Sequence, residues 1–126
     1  MATTSLAVLE LNHVALHVRD MNVSNHFYGD ILQLPQIPRP NFSFDGAWYA
    51  LGRQELHLIV SPERDPAPRI DCHFALRVAD AHAAHAALVA AGVAINSLGL
   101  RPDGAVQVFS HDPDGHLIEI TSFPDP

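Results

Sequence analysis

His13, His57, His73 and Glu119 are the residues of this sequence whose types and spacing can do chemistry together. Each interrupts an apolar run that alternates with a period of two. In Leu11–Val18, the residues Val14, Leu16 and Val18 share one strand face, and His13, Ala15 and His17 share the other. In Glu55–Val60, the residues Leu56, Leu58 and Val60 lie opposite Glu55, His57 and Ile59. In Cys72–Val78, the residues Phe74, Leu76 and Val78 lie opposite His73 and Arg77. In the last strand, Ile118 and Ile120 lie opposite Leu117, Glu119 and Thr121. If helices cover the apolar faces, the other face carries three imidazoles and a carboxylate. A carboxylate inside an apolar strand needs a cation, a proton or water. Neutral imidazole nitrogens with a carboxylate oxygen make a divalent metal site that suits Zn, Ni, Co, Mn or Fe(II). His13, His73 and Glu119 by themselves match a two-histidine, one-carboxylate triad with open positions.

The elements that must position these residues follow from the chain order. Residues 1–9 read as a loose terminus. After the first strand, Asp20 is placed to cap a helix in which Val23, Phe27, Ile31 and Leu34 recur at near-helical spacing, ended by Pro35 and Pro38. Strands are expected near Ile37–Phe42 and Ala47–Leu51, with a turn at Asp45-Gly46, and then at Glu55–Val60. Ser61–Asp71, with Pro62, Pro66 and Pro68, reads as a linker. The pattern then starts again. Cys72–Val78 is a strand, and Asp80 caps an alanine-rich helix, Ala81–Ala91, that stops at Gly92. Ala94–Leu98, Ala105–Ser110 and His116–Thr121 supply three more strands. The last follows Asp112-Pro113-Asp114-Gly115, a turn in which proline presets φ and glycine allows positive φ.

The repeat is explicit in the sequence. Asn12–Asp20 (NHVALHVRD) overlies Cys72–Asp80 (CHFALRVAD), and Leu56-His57-Leu58 overlies Ile118-Glu119-Ile120. The expected fold is α+β: two tandem βαβββ modules, about 11–60 and 72–121, forming a curved eight-stranded mixed sheet with a concave cleft. The 126 residues suffice for a single domain over 1–126.

Composition limits the function. Hydrophobic residues make up 48% of the chain and charged residues 17%, as in a folded globular protein. A net charge of −7 argues against nucleic acid or an anionic membrane as the main partner. An anionic substrate would need a local positive centre. Cys72 is the single cysteine, which excludes an intrachain disulfide and a cysteine-based zinc site. No signal peptide and no bilayer-length apolar run is evident, so the cytoplasm is the expected location.

The residues Leu11–Leu16, Phe27–Leu32, Gly46–Tyr49, His73–Val78, and Asp112–Gly115 leading to Glu119 give the chain a further likeness. From about Leu11 to Phe123 it resembles the vicinal oxygen chelate superfamily, the glyoxalase/bleomycin-resistance/extradiol dioxygenase fold. The resemblance implies metal ligands at His13, His73 and Glu119, with His57 at the fourth position, where glyoxalase I-like members carry Glu. A neutral ligand there departs from glyoxalase I. The shared chemistry of the family is a divalent metal that holds two neighbouring oxygens of a small molecule. The resemblance therefore implies a metal-dependent, glyoxalase-like lyase or isomerase. An extradiol dioxygenase, a fosfomycin-resistance-type transferase and a non-catalytic drug-binding protein stand as alternatives. It also implies a homodimer, because partners in this fold often complete each other's clefts.

Glu119 and His57 are the expected proton-transfer groups. His57 is either a fourth ligand or a donor behind the ligands. His17 and Arg77, further along the faces of His13 and His73, are expected to bind an anionic group or to be solvated strand ends. Trp48 and Tyr49 alternate, so one faces the cleft and one the core; Tyr49 is assigned to substrate. Glu55 reads as exposed, and Cys72 as a buried, inert thiol. Arg39, Asn41, Arg101 and Gln107 could touch substrate, but each reads first as a surface or turn residue. His26, His82, His85 and His111 are given no role.

Overall fold

Alternation of apolar residues builds two copies of one motif. The computed structural model describes residues 5–125. Residues 1–4 of the expected loose terminus lie outside the described residues, and residues 5–12 form neither helix nor strand. The first module contains β1 (His13–Val18), α1 (Met21–Asn25), β2 (Gln36–Ile37), β3 (Gly46–Leu51) and β4 (Gln54–Val60). The second contains β5 (His73–Arg77), α2 (Ala81–Ala90), β6 (Ile95–Leu100), β7 (Val106–His111) and β8 (Leu117–Ser122). The eight strands lie in two four-stranded sheets, ordered β1-β4-β3-β2 and β5-β8-β7-β6. In each sheet the first and last strands of the module run parallel side by side, and the others are antiparallel. The fold is therefore α+β with tandem βαβββ modules.

The parallel register explains how one face becomes core. Val14 pairs with Leu56 and Leu16 with Leu58 in the first sheet, and Phe74 pairs with Ile118 and Leu76 with Ile120 in the second. Leu56, Leu58 and Ile118 are fully buried and join Phe27, Tyr28, Leu88 and Val108 in one apolar cluster. Both helices begin as expected: Asp20 accepts from the backbone N–H groups of Asn22 and Val23, and Asp80 from those of His82 and Ala83. The first helix departs from expectation after Asn25. His26–Ile31 is wound as a wider π-helix, with Leu32 N–H donating to Phe27 O, five residues back, at 2.9 Å.

The expected strand Ile37–Phe42 is corrected to the two-residue β2. Pro38 and Pro40 have no N–H to give a ladder. The loop that follows folds on itself instead, with Arg39 donating to Phe44 O at 2.7 Å and lying over the rings of Phe42 and Phe44.

The Asp-Pro-Asp-Gly turn ties the modules together. Asp112 accepts the Tyr28 hydroxyl at 2.6 Å and the N–H groups of Asp114 and His116 at 2.9 and 2.8 Å. Asp114, 2% exposed, accepts Arg19 N–H at 3.0 Å and Arg19 Nε–H at 2.9 Å. Burial raises the Tyr28 hydroxyl well above its ordinary pKa, and the carboxylates of Asp112 and Asp114 add to the shift. His116 Nε2–H donates to His17 O at 2.8 Å, which turns its ring onto the first module.

Candidate functional site

The four residues expected to act together form two pairs within one chain. The first pair is on the first sheet. His57 lies between two rings: Trp48 stacks on one side at 3.8 Å and 3°, and His13 on the other at 4.2 Å and 19°. His57 Nε2 and Glu55 Oε1 are 2.8 Å apart. Glu55 is thus corrected from an exposed strand start to a half-buried partner of His57, because residues two apart on a strand share a face. With Nε2–H given to Glu55, Nδ1 is the nitrogen of His57 left with a free lone pair. The wall continues through Phe42, 6.1 Å from Trp48, to Phe44, 5.0 Å further.

The second pair is on the second sheet. His73 Nε2 lies 3.1 Å from Glu119 Oε1, and Gln107 donates to Glu119 Oε2 at 3.1 Å. Glu119 is 5% exposed, while the His73 side chain is 36% exposed. This buried carboxylate is held by one imidazole and one amide; among the described residues no arginine forms a salt bridge with it, although Arg101 is near enough to feel its charge. Gln107, read from sequence as a surface residue, is part of this set. The alternation of β7 gave the signal, since it puts Gln107 on the face of Phe109, which pairs with Glu119. Phe109 meets His73 edge-on at 5.4 Å. Among the described residues, no group of three or more His, Cys, Asp and Glu is placed to hold a metal ion. The strand order shows why. His13 and His73 both lie on edge strands, each sheet bringing its own pair, and among the described residues no ladder joins the two sheets.

Of the remaining expected residues, His17 is exposed, with Nδ1 2.7 Å from Ser61 Oγ. Arg77 is exposed and lies 5.4 Å over the Phe123 ring. Tyr49 is corrected. It is 1% exposed, on the core face, with its hydroxyl bonded to Asn25 Oδ1, and Trp48 holds the place beside His57. Burial raises the Tyr49 hydroxyl, with a smaller effect from Asp30. Cys72 is also corrected: it is an exposed free thiol, because β5 begins one residue later. A cavity of about 910 Å³ opens between the modules; apolar residues such as Val14, Leu32, Phe74 and Leu88 line it with His73 and Arg77, and His13, His57 and Glu119 do not.

Two repeated βαβββ modules, a histidine on the first strand of each and a glutamate on the last strand of the second define a class of protein. Residues 10–120 match the family model for the Glyoxalase/Bleomycin resistance protein/Dioxygenase superfamily, and the chain belongs to that family. It is 31% identical over 129 residues to the Arabidopsis thaliana protein Glyoxylase I 4, covering 94% of this chain and 74% of that one. A putative glyoxalase family protein from Bacillus anthracis superposes with a TM-score of 0.84 at 25% identity, over 96% of this chain and 100% of that one. A fosfomycin resistance protein from Listeria monocytogenes, solved with Mn(II) and dihydroxypropylphosphonic acid, shares the fold. Its TM-score is 0.79 at 17% identity, over 93% of this chain and 94% of that one. Among the described residues, no helix is long and apolar enough to cross a membrane.

Proposed function

We propose that this chain is a metal-dependent enzyme of the glyoxalase kind, a lyase or isomerase, acting on a small molecule whose neighbouring oxygens chelate a divalent ion. The observation that carries the reading is Glu119, a buried carboxylate that lies 3.1 Å from an imidazole nitrogen and forms no salt bridge with an arginine among the described residues. The donor set is of the nitrogen/oxygen type that suits such an ion, but the described residues of one chain do not gather three such donors. The reading therefore includes a homodimer in which His13 of one copy meets His73 and Glu119 of the other. Both histidines are exposed and sit on edge strands, where another module can come alongside.

When bound, the ion supplies Lewis-acid stabilisation of a developing enolate or oxyanion. The chain's own residues do the rest. Glu119, fixed by Gln107, would be the base for a proton beside a carbonyl when its carboxylate is not held by the ion. Nδ1 of His57 is the second candidate acceptor, with the ring held by Glu55 and clamped by Trp48. Trp48 and Phe109 line the two half-sites with apolar surface that excludes water. The exposed thiol of Cys72 suits a reducing compartment, and we assign the chain to the cytoplasm.

The test is metal content by plasma mass spectrometry on untagged protein, beside His13→Ala and Glu119→Ala. Near one divalent ion per chain in the wild type, lost in both variants, is expected. Fe(II) would direct assays to ring-opening dioxygenation, and Ni, Co, Zn or Mn to isomerase, lyase or transferase substrates. A wild type that holds no metal and takes none up on addition would sink the enzyme reading, and a small-molecule binding protein would take its place.

A further inference from the structure

All seven cationic side chains of this acidic protein are arginines, and two of them meet in a pocket that the metal reading does not use. The pocket, about 280 Å³, lies between the far end of β1 and the connection between the modules. His17, Ser61, Arg64, Asp65, Ala67 and Arg69 line it. This proline-rich segment has no regular structure, yet its backbone is pinned. Ser61 N–H donates to Val18 O at 2.7 Å, Arg64 N–H to Ser61 O at 3.0 Å, and Arg69 N–H to Gly115 O at 2.9 Å. Arg69 O accepts from His111 Nε2 at 2.7 Å. The two guanidinium groups are thus carried on fixed supports.

Most of their donors have no partner among the described residues. Arg64 Nε is buried and has no hydrogen-bond partner among the described residues. Arg64 Nη2 meets only a ring nitrogen, His116 Nδ1, at 3.4 Å. Among the described residues neither Arg64 nor Arg69 pairs with a carboxylate, whereas Arg19 and Arg101 do. Asp65 is the carboxylate of the lining, and one of its oxygens accepts Ala67 N–H at 3.0 Å. When Ser61 donates its hydroxyl hydrogen to His17 Nδ1, the imidazole keeps a hydrogen on Nε2 and adds another donor. A buried guanidinium N–H without an acceptor is unfavourable, and its best partner is an oxyanion. The donors come from a strand end, a turn and a connection, which suits an anion with three terminal oxygens better than a planar carboxylate.

The geometry points to a binding site for a phosphate-type oxyanion, either the free ion or the terminal group of a phosphate monoester, held by Arg64, Arg69 and His17. The site stands apart from His13, four strand residues or about 13 Å away along β1. It does not depend on a metal being bound.

Isothermal titration calorimetry of the full chain tests it, with inorganic phosphate, methyl phosphate and acetate as separate titrants. Saturable phosphate binding is expected, weakened about tenfold or more by Arg64→Ala and by Arg69→Ala, the scale of a lost charge-assisted hydrogen bond. Arg53→Ala, whose side chain is 88% exposed outside the pocket, should leave it unchanged. Methyl phosphate binding as tightly as phosphate would assign the site to a monoester, and phosphate binding alone to the free ion. If Arg64→Ala does not fold, Arg64→Lys keeps the charge without the Nε donor, and the exposed Arg69 decides the matter. No saturable heat with phosphate, equal binding in the Arg69 variant, or acetate binding as tightly as phosphate would overturn the proposal.

Discussion

The hydroxyl of Tyr28 shows how one side chain can set a pH limit on the whole chain. It is fully buried and donates to Asp112 at 2.6 Å, and burial with two nearby carboxylates holds its pKa well above 10.0. The folded chain therefore keeps a proton that the unfolded chain releases above about pH 10. The stability contributed by this group is complete below that point and falls as pH rises towards the folded value. Tyr49, the other tyrosine, is shifted in the same direction. Phenolate absorbance should thus be delayed beyond pH 10 and appear together with unfolding. Tyr28→Phe should lower stability at neutral pH by about 1–3 kcal/mol, because Asp112 loses a donor in a buried site. Its deficit against the wild type should narrow in alkali, where the variant lacks the shifted group. Early, non-cooperative phenolate absorbance from both tyrosines in folded protein would contradict this assignment.

At the scale of elements, the turn before β8 does more than reverse the chain. Gly115 has φ of +82°, and a Cβ there would lie 2.5 Å from Pro66 O and 2.7 Å from Ala67 O. Gly115→Ala should cost about 1–3 kcal/mol from backbone conformation alone, and more from the collision with the backbone. Thermal unfolding of that variant checks the prediction; an unchanged midpoint would mean that the connection is free to move away. This turn also marks what could be read from sequence. Period-two alternation found eight strands, and the Asn12–Asp20 repeat found the modules, because both patterns are local. Asp20 and Asp80 were legible as caps for the same reason. The partners of Asp112 and Asp114 were not, since Tyr28 and Arg19 are more than eighty residues away in sequence. Nor was the extent of β2, because alternation over Ile37–Phe42 counts side chains and ignores the missing N–H groups of Pro38 and Pro40. Alternation divides Trp48 and Tyr49 between cleft and core, but only the register β3↔β4 says that Trp48 shares the face of His57. Cys72 lies just outside its strand, so alternation had no hold on it.

At the scale of the molecule, the arrangement of half-sites makes an assembly prediction that does not need the substrate. Light scattering should give twice the 13.7 kDa of one chain, and a monomer at working concentration would count against a shared site. Mixing variants is the sharper test. His13→Ala and Glu119→Ala should each be metal-free alone. If every site takes His13 from one copy and His73 with Glu119 from the other, a mixed dimer has one site with both lesions and one with neither. Random re-pairing makes about half of the dimers mixed, so about one site in four should regain its ion. A site closed within one chain would regain nothing on mixing, because each chain would carry its own lesion into its own site. Metal content after co-refolding the two variants therefore separates the two geometries without any assay of turnover. The exposed histidines on edge strands, and the absence of a three-donor cluster among the described residues of one chain, favour recovery.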